Sequence, residues 1–386
     1  MSTQLYIELR NYFLLFFFLS VFLPFFYKSY AYSQEITFPQ LSKGVDSNSV
    51  GCIFPLSGKY ELLGKKALKG TLTATGFFEF KTRDVRVIVK DSGDASERPE
   101  ELLNDIVKVD HVSVLIGPIL SDYLKELDGI INLLEIPTVV FPLSAEDTSD
   151  SNPYLIEFSY SLENQAHVLA RYAASDIKIN SFGVLYPQTR IGEVFKDAFI
   201  KSVREFGGNV IYVGSYDPKL VDISTEVRWI KLRNPNAIFI PDSATNSAEL
   251  IKKLGQERGL KGLIFLGPST WNSDTFLNAV GNEANKIVLT DFFFPGSSRW
   301  IDFREKYRAT FKEEPGFLEF QVYEAVNLIL HILQFPVRDR KEVIERLLAL
   351  RDSPLFDIRQ GQGGGLEISP KPLVLIVRNG AIVKVK

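Results

Sequence analysis

The sequence predicts an α/β protein of two lobes, each built around a doubly wound parallel sheet and connected by several crossovers. Short apolar runs alternate with helical repeats, as expected where parallel strands are joined by crossover helices. This series begins near residue 50 and starts again after Pro153. With 386 residues the chain is long enough for two or three domains, at the usual ~150 residues each.

The first series opens with the apolar run 50–54, which ends at Pro55. Ser57 and Gly58 follow in a polar turn, and apolar residues recur at helical spacing from Gly64 onward. Ligands of open α/β sheets bind beyond the carboxyl ends of the strands, so this turn is a natural ligand contact. Further strands are predicted at 85–91, 112–116 and 138–141, with helices at 97–109 and 121–134.

The second series shows the same alternation and is followed by helices and a terminal hairpin. Gly207 and Gly208 give one of its helices a strong C-terminal stop, and Asn379-Gly380 predicts the hairpin turn. Its predicted helices are 163–175, 193–206, 224–232 and 246–254, and its strands 182–186, 210–213, 237–240, 263–266 and 286–289. Helices near 299–311, 317–333 and 341–350 and a strand at 373–377 complete the prediction.

Charge and cysteine content exclude several classes of protein. The formal net charge is −3, and Lys and Arg are scattered among Asp and Glu. The absence of a basic stripe argues against a nucleic-acid partner. Cys52 is the only cysteine, so no intramolecular disulfide can form. Its place in a predicted strand is typical of a buried structural thiol.

The amino terminus carries an export signal. Residues 12–26 are almost wholly apolar, Arg10 precedes them, and small residues around Ala31 suit a signal peptidase. We predict a cleaved signal peptide over 1–31 and a polar linker over 32–48; an uncleaved anchor is the alternative. Export without disulfides fits a bacterial periplasm, with membrane contact only through this signal.

Motifs for catalysis are missing. The spacing from Gly58 to Gly64 is one residue too long for a phosphate-binding loop, and Lys66 stands where its hydroxyl residue belongs. No serine lies in a nucleophile-elbow motif. The three histidines, His111, His167 and His331, are isolated, so the sequence predicts neither a metal nor a cofactor. We therefore expect a protein that is not an enzyme.

The order of several local motifs resembles the type I periplasmic binding proteins, the leucine/isoleucine/valine-binding family. These motifs include Pro-Leu-Ser-Gly at 55–58, Ile-Gly-Pro at 116–118, Tyr-Pro at 186–187, Gly-Pro at 267–268 and Tyr-Glu-Ala at 323–325. The resemblance covers residues 49–385. It implies two lobes joined by a multi-strand hinge with the ligand in the cleft between them. It assigns 49–158 and 292–370 to the first lobe, and 159–291 and 371–386 to the second.

The resemblance also implies a set of ligand contacts in loops of both lobes. Ser121 and the amides beside Ser144 would donate to a carboxylate or other oxygen, Asp242 would accept from an amine, and Trp271 would cover an apolar ligand. The alternatives are ordinary loop residues or helix caps and, for Trp271, packing in the core or between the lobes. The implied contacts are Ser57, Leu63, Ser121, Leu143, Ser144, Ala145, Ile191, Asp242, Ser269 and Trp271.

Departures from the family pattern bear on the ligand. Amino-acid-binding members carry a glutamate for the substrate ammonium where this chain has Ser269, and Ala145 replaces a threonine that helps to hold the α-carboxylate. A buried ammonium without a charged partner costs several kcal/mol. The resemblance therefore implies an exported solute-binding protein that delivers a small polar metabolite, amino-acid-like or another organic solute, to an ABC-type permease. The alternative is a ligand-free regulator resembling the penicillin-binding protein activators.

Overall fold

The protein is described here from a computed structural model. It describes residues 45–77, 85–93, 99–119, 121–141, 152–220, 222–361 and 363–385. The predicted signal peptide 1–31 lies outside the described residues, as does most of the predicted linker 32–48. No helix in the described part of the chain is long and apolar enough to cross a membrane.

The first sheet has seven strands in the order β11-β12-β5-β4-β3-β1-β2. Its strands are β1 Asp46–Phe54, β2 Arg86–Asp91, β3 Val112–Ile116, β4 Thr138–Val140, β5 Leu155–Phe158, β11 Phe356–Gln360 and β12 Leu366–Pro370. All neighbours pair in parallel except β11 and β12, which form an antiparallel hairpin at one edge. Every residue of β3 and β4 is buried, as expected of parallel strands covered on both faces.

The second sheet also has seven strands, in the order β14-β13-β10-β9-β8-β6-β7. Its strands are β6 Ser181–Pro187, β7 Asn209–Tyr216, β8 Ala237–Phe239, β9 Ile264–Gly267, β10 Ile287–Asp291, β13 Leu373–Arg378 and β14 Ala381–Lys384. The first five pair in parallel, and β13 and β14 add antiparallel strands at the edge.

Helices cover both faces of each sheet. The first lobe has α1 Glu61–Thr75, α2 Pro99–Asn104, α3 Ser121–Leu133, α9 Ser298–Phe311, α10 Phe317–Ile332 and α11 Arg340–Leu348. The second lobe has α4 Leu162–Arg171, α5 Arg190–Glu205, α6 Ser224–Arg233, α7 Ala244–Gly255 and α8 Asp274–Val280. Wider π-helical turns extend α2 over Asp105–Val109 and α4 over Tyr172–Asp176.

Local sequence explains where many of these helices begin. Five of them start after a serine or threonine whose side chain accepts a hydrogen bond from a backbone amide of the first turn, and α11 starts after an aspartate that does the same. Such caps satisfy an amide that the helix itself leaves unpaired. The capping residues are Ser161, Thr189, Ser243, Ser273, Ser297 and Asp339.

Four large apolar clusters fill the space between sheets and helices. In the first lobe, α1, α10 and α11 pack on one face of the sheet, and α2 and α3 on the other. In the second lobe, α6, α7 and α8 cover one face, and α4 and α5 the other. The predicted pair of doubly wound lobes is therefore confirmed.

The chain crosses between the two lobes three times: between β5 and α4, between β10 and α9, and between β12 and β13. Each lobe is therefore assembled from two separate stretches of the chain. The exact domain boundaries stay a prediction.

The structure also departs from the sequence prediction. Strand β1 begins at Asp46, inside the segment predicted as the linker 32–48. Strands β5, β11 and β12 were not predicted. At the end of the β11–β12 hairpin the amide of Gly361 donates to the carbonyl of Gly365 at 2.9 Å.

Candidate functional site

The loop after β1 lies at the carboxyl end of the first sheet and is shaped by two close contacts. A Cβ atom at Gly64 would lie 2.0 Å from the carbonyl oxygen of Pro55, so only glycine lets α1 pack so near the strand end. The Asp91 carboxylate, at the end of β2, accepts from the amides of Leu56 at 2.7 Å and Gly93 at 2.9 Å. Ser57 is exposed at the tip of this loop.

The hydrogen bonds that Asp91 accepts favour the ionised form of its carboxyl group. Partial burial opposes its ionisation, but hydrogen bonds from Gly93, Ser57 and Leu56 outweigh this and hold the pKa of the carboxyl below its usual value. Asp91 thus stays ionised and ties the loop that follows β1 to the end of the neighbouring strand.

In the second sheet, the loop after β6 has a close strand–helix contact like the one at Gly64. A Cβ atom at Gly192 would lie 2.3 Å from the carbonyl oxygen of Pro187. Here the loop is only two residues long, and Thr189 caps α5 by accepting from the amide of Gly192 at 3.1 Å. Ile191, in the first turn of α5, is 55% exposed. Its side chain is therefore available at the carboxyl end of the sheet.

Asp242, predicted to accept from an amine, already receives three hydrogen bonds within the second lobe. The hydroxyl of Tyr216 and the side-chain amide of Asn246, at 2.9 Å, donate to one carboxylate oxygen. The amide of Ser243 donates to the other oxygen at 2.6 Å. In this arrangement the carboxylate organises the loop after β8, which leaves it less free to bind a ligand cation.

The turn after β9 lies beside Asp242, because Thr270 donates its hydroxyl to the Asp242 carbonyl at 2.7 Å. Ser269 is half-buried, and its amide donates to the side chain of Gln165 at 2.9 Å. Asp242 and 269–271 therefore meet at one edge of the second lobe.

Trp271 does not offer its ring to a ligand in this structure. It has no exposed surface and stacks on Phe276 with ring centroids 4.8 Å apart. A Cβ atom at Gly267 would lie 2.3 Å from the indole, so that glycine makes the room for the ring. The expectation of a ligand cover is corrected to the alternative, core packing within the second lobe.

The remaining predicted contacts are placed only in part. Leu63 is half-buried in the first turn of α1. Ser121 is the first residue of α3, at the carboxyl end of β3. Leu143, Ser144 and Ala145 lie outside the described residues. The proposed contact set as a whole stays a prediction.

The crossovers between the lobes carry aromatic residues that were not among the predicted contacts. Tyr160, in the first crossover, packs its ring between Phe292 of the second crossover and Phe317 at the start of α10, with centroids 4.7 and 4.8 Å away. Phe317 is 56% exposed. We call these three residues the hinge cluster. The aromatic run at 292–294 was the sequence signal that could have indicated it.

A buried carboxylate lies beside the hinge cluster. Asp291 ends β10 and accepts from the side-chain amide of Asn272 at 2.7 Å and from the amide of Phe293 at 3.2 Å. Burial raises the pKa of Asp291 to about 6, although these hydrogen bonds favour its ionised form. An ionisable carboxyl group, that of Asp291, is thus buried at the point where the chain leaves the second lobe.

Together the strand-end loops present amides, hydroxyls and one exposed aliphatic side chain, and the start of α10 adds one exposed aromatic ring. They are suited to hold a small polar molecule by hydrogen bonds and van der Waals contact. Among the residues that the structure describes, no group of three or more His, Cys, Asp or Glu side chains is arranged to hold a metal ion.

Residues 48–357 match the family model described as "Periplasmic binding protein". A solved structure described as a putative branched-chain amino acid ABC transporter from Rhodospirillum rubrum superposes with a TM-score of 0.74 at 18% identity, covering 87% of this chain and 99% of that chain. No curated protein gives a significant sequence match.

Two further solved structures share this fold. A solute-binding protein of an ABC transporter from Rhodopseudomonas palustris, in complex with 3,4-dihydroxybenzoic acid, has a TM-score of 0.53 at 18% identity and covers 87% of this chain and 96% of its own. The C-domain of LpoA from Haemophilus influenzae, a regulator of PBP1A, has a TM-score of 0.61 at 18% identity, with coverages of 88% and 100%. At these identities the likeness concerns the fold alone.

Proposed function

Because the chain belongs to the periplasmic binding protein family, we propose that it is an exported solute-binding protein that holds a small molecule between its lobes and delivers it to an ABC-type permease. The observation that carries this proposal is the paired arrangement of strand-end loops. After the first strand of each lobe, a close contact between a proline carbonyl and a glycine fixes where the next helix begins. Three crossovers connect the two sheets.

Binding is proposed to work by hinge closure. A molecule that contacts the loops of both lobes at once interacts more strongly with the closed arrangement than with the open one, and so shifts the population toward it. Closure also changes the surface that the two lobes present together, which gives a permease a means to distinguish loaded from empty protein.

The proposed ligand class is a small organic acid, aliphatic or aromatic, rather than a free amino acid. By the family resemblance, Ser269 stands where amino-acid-binding members carry the ammonium partner, and the Asp242 carboxylate is engaged by Tyr216, Asn246 and Ser243. The exposed ring of Phe317 in the hinge cluster supplies an aromatic surface. The Rhodopseudomonas palustris relative binds a molecule of this class.

Export to the periplasm is part of the same proposal. The apolar segment at residues 12–26 serves as the signal, and cleavage near Ala31 releases the two-lobed body. The permease subunits are then the membrane partners.

A thermal-shift screen of the purified protein tests the proposal. Amino acids, dicarboxylates and hydroxylated benzoates are added singly, and a ligand at 100 times its Kd should add about 2.7 kcal/mol to the free energy of unfolding. We expect one or more organic acids to raise Tm, and Phe317→Ala to weaken the rise for aromatic ones. Ile301→Ala, at an exposed position of α9 that is not among the proposed contacts, is the control.

No rise in Tm across the whole panel would contradict the proposal and favour the ligand-free regulator. The likeness in fold to the LpoA C-domain would then guide the search for a partner.

A further inference from the structure

A cavity lies in the first lobe, and no predicted ligand contact that the structure describes lines it. It is bounded by α9, α10 and the segment that connects α11 to β11, and its volume is about 360 Å³. Its walls include the apolar side chains of Leu328, Leu355 and Phe356 and the charged side chains of Arg299, Asp302 and Glu324. Cavities of this size and mixed character are typical of small-molecule sites.

Glu324 is the unusual member of this lining. Its side chain is 3% exposed, and one carboxylate oxygen is paired with the guanidinium of Arg299. The other oxygen, Oε2, is buried and has no hydrogen-bond partner among the described residues. A buried acceptor without a donor costs free energy. The site would therefore gain from a ligand that supplies the missing donor.

The charges around the cavity determine the sign of that ligand. At pH 8, above the pKa of about 7 that burial gives Glu324, this residue and Asp302 carry two negative charges against the one positive charge of Arg299. Among the described lining residues, His331 is the one other side chain that can carry a positive charge. At that pH the lining is acidic. Arg299 is further occupied by the ring of Phe356, with its guanidinium carbon 5.6 Å from the ring centroid. A cationic head group is favoured here, and an anionic one is not.

We propose that this cavity is a binding site for a small amphipathic amine, separate from the inter-lobe cleft. The ammonium group donates to Oε2 of Glu324, and the apolar body packs against Leu328, Leu355 and Phe356. The site does not depend on the solute that the cleft is proposed to hold.

The position of the cavity connects it to the hinge. Helix α9, which forms one wall of the cavity, follows directly after the second crossover. The cavity therefore lies beside one of the three connections between the lobes.

The test uses 2-phenylethylamine as the probe, titrated into the purified protein by isothermal calorimetry. We expect saturable binding, at least a tenfold loss of affinity in Glu324→Gln, and a smaller loss in Leu355→Ser, which removes an exposed part of the apolar wall. The anion 3-phenylpropanoate should not bind at this site.

Glu319→Gln is the matched control. Glu319 lies on the same helix, is 3% exposed and also has a buried oxygen without a partner among the described residues, but it does not line the cavity. Amine affinity should be unchanged in Glu319→Gln and in Asp242→Asn, a variant at the strand-end loops.

Three results would overturn the site: no binding of the amine, equal binding by Glu324→Gln and the unchanged protein, or displacement of the bound amine by 3-phenylpropanoate. A loss of amine binding in Asp242→Asn would move the site to the cleft and so also overturn it. None of these outcomes bears on the thermal-shift screen with organic acids, so the two proposals can fail separately.

Discussion

The first strand–loop–helix unit of each lobe solves the same packing problem in a different way. In both lobes the helix lies so close to the strand end that a Cβ atom at Gly64 or Gly192 would overlap a proline carbonyl. The second lobe makes the connection in two residues and caps the helix with Thr189. The first lobe uses a longer loop and a helix start without a side-chain cap.

The longer loop of the first lobe is held from outside the unit, by Asp91 at the end of β2. The difference shows that the close strand–helix contact is common to both lobes, whereas the means of fixing the loop is particular to each. A loop held by a single exposed carboxylate is also easier to displace than a two-residue turn, and the first-lobe loop carries the exposed Ser57.

The largest effect is expected from Gly64→Ala and Gly192→Ala. Each new methyl group would lie within 2.3 Å of a backbone oxygen, so strand or helix must shift. We expect each variant to lose roughly 3 kcal/mol of stability, the upper end of the usual cost of overpacking. Chemical denaturation measures the loss.

Gly129→Ala is the control, since Gly129 lies in α3 and, apart from the helix's own backbone and its chain neighbours, no atom of the described residues lies within 4 Å of the added Cβ. It should be neutral or slightly stabilising, because alanine is the better helix former. If only one of the two strand-end glycines were sensitive, the parallel between the lobes would not hold.

The next largest effect on stability is expected at two buried carboxyl groups, Asp291 before the second crossover and Glu324 in α10 after it. Burial raises the pKa of Asp291 to about 6 and that of Glu324 to about 7, the latter against the favourable charge of Arg299. An acid with a raised folded-state pKa binds its proton more tightly when folded. Its contribution to stability is therefore fully present below pH ~4 and is lost as the pH rises toward 7.

Replacing either buried carboxyl group by the corresponding amide should remove the loss of stability that occurs as the pH rises. We expect Glu324→Gln and Asp291→Asn to match the unchanged protein near pH 4.5, and to exceed it at pH 8 by up to about 2–3 kcal/mol. Glu249→Gln, at an exposed position of α7, should leave the pH profile unchanged. Parallel profiles for all four proteins would show that the two buried groups titrate normally.

The smallest effect on stability is expected at Thr189 and Asp91, the two side chains that fix the loops after β6 and β1. Thr189→Ala should cost about 1 kcal/mol at every pH, the usual value for a lost helix cap. Asp91→Ala should cost a similar or smaller amount, because the carboxylate is exposed to solvent. The pKa of Asp91 is lowered on folding, so its contribution is present above pH ~4 and is lost as the pH falls below that. Tm measured at pH 3 and pH 7 separates the two variants.

The sequence predicted most of the fold because the buried parallel strands are apolar runs of ordinary length. It missed β11 because Phe356–Gln360 alternates apolar and charged residues at a sheet edge, and β5 because that strand has only four residues. In these strands, pairing with a distant neighbour decides the conformation more than local composition does.

The candidate site was less predictable than the fold. The environment of Trp271 depends on the space that Gly267 leaves beside it, which no local pattern reveals. The environment of Asp242 depends on Tyr216 from another strand. The members of the hinge cluster lie far apart in sequence and meet because the first two crossovers lie side by side. Arg299 and Glu324 pair across two consecutive helices, α9 and α10, which no local pattern reveals.

Closure of the two lobes on a solute is tested most directly by a distance between them. Cys52 is buried and its pKa is raised by burial to about 12, so it should not react with a thiol label. Spin labels at Lys59→Cys and Thr245→Cys would mark the exposed loop after β1 and the first turn of α7. Labels at Lys59→Cys and Lys108→Cys, both in the first lobe, provide the control distance.

The distance between positions 59 and 245 is measured by double electron–electron resonance, with and without the compound that gives the largest rise in Tm. We predict that the compound shortens this distance and leaves the 59–108 distance unchanged. A compound that raises Tm while both distances stay the same would contradict binding by closure of the lobes.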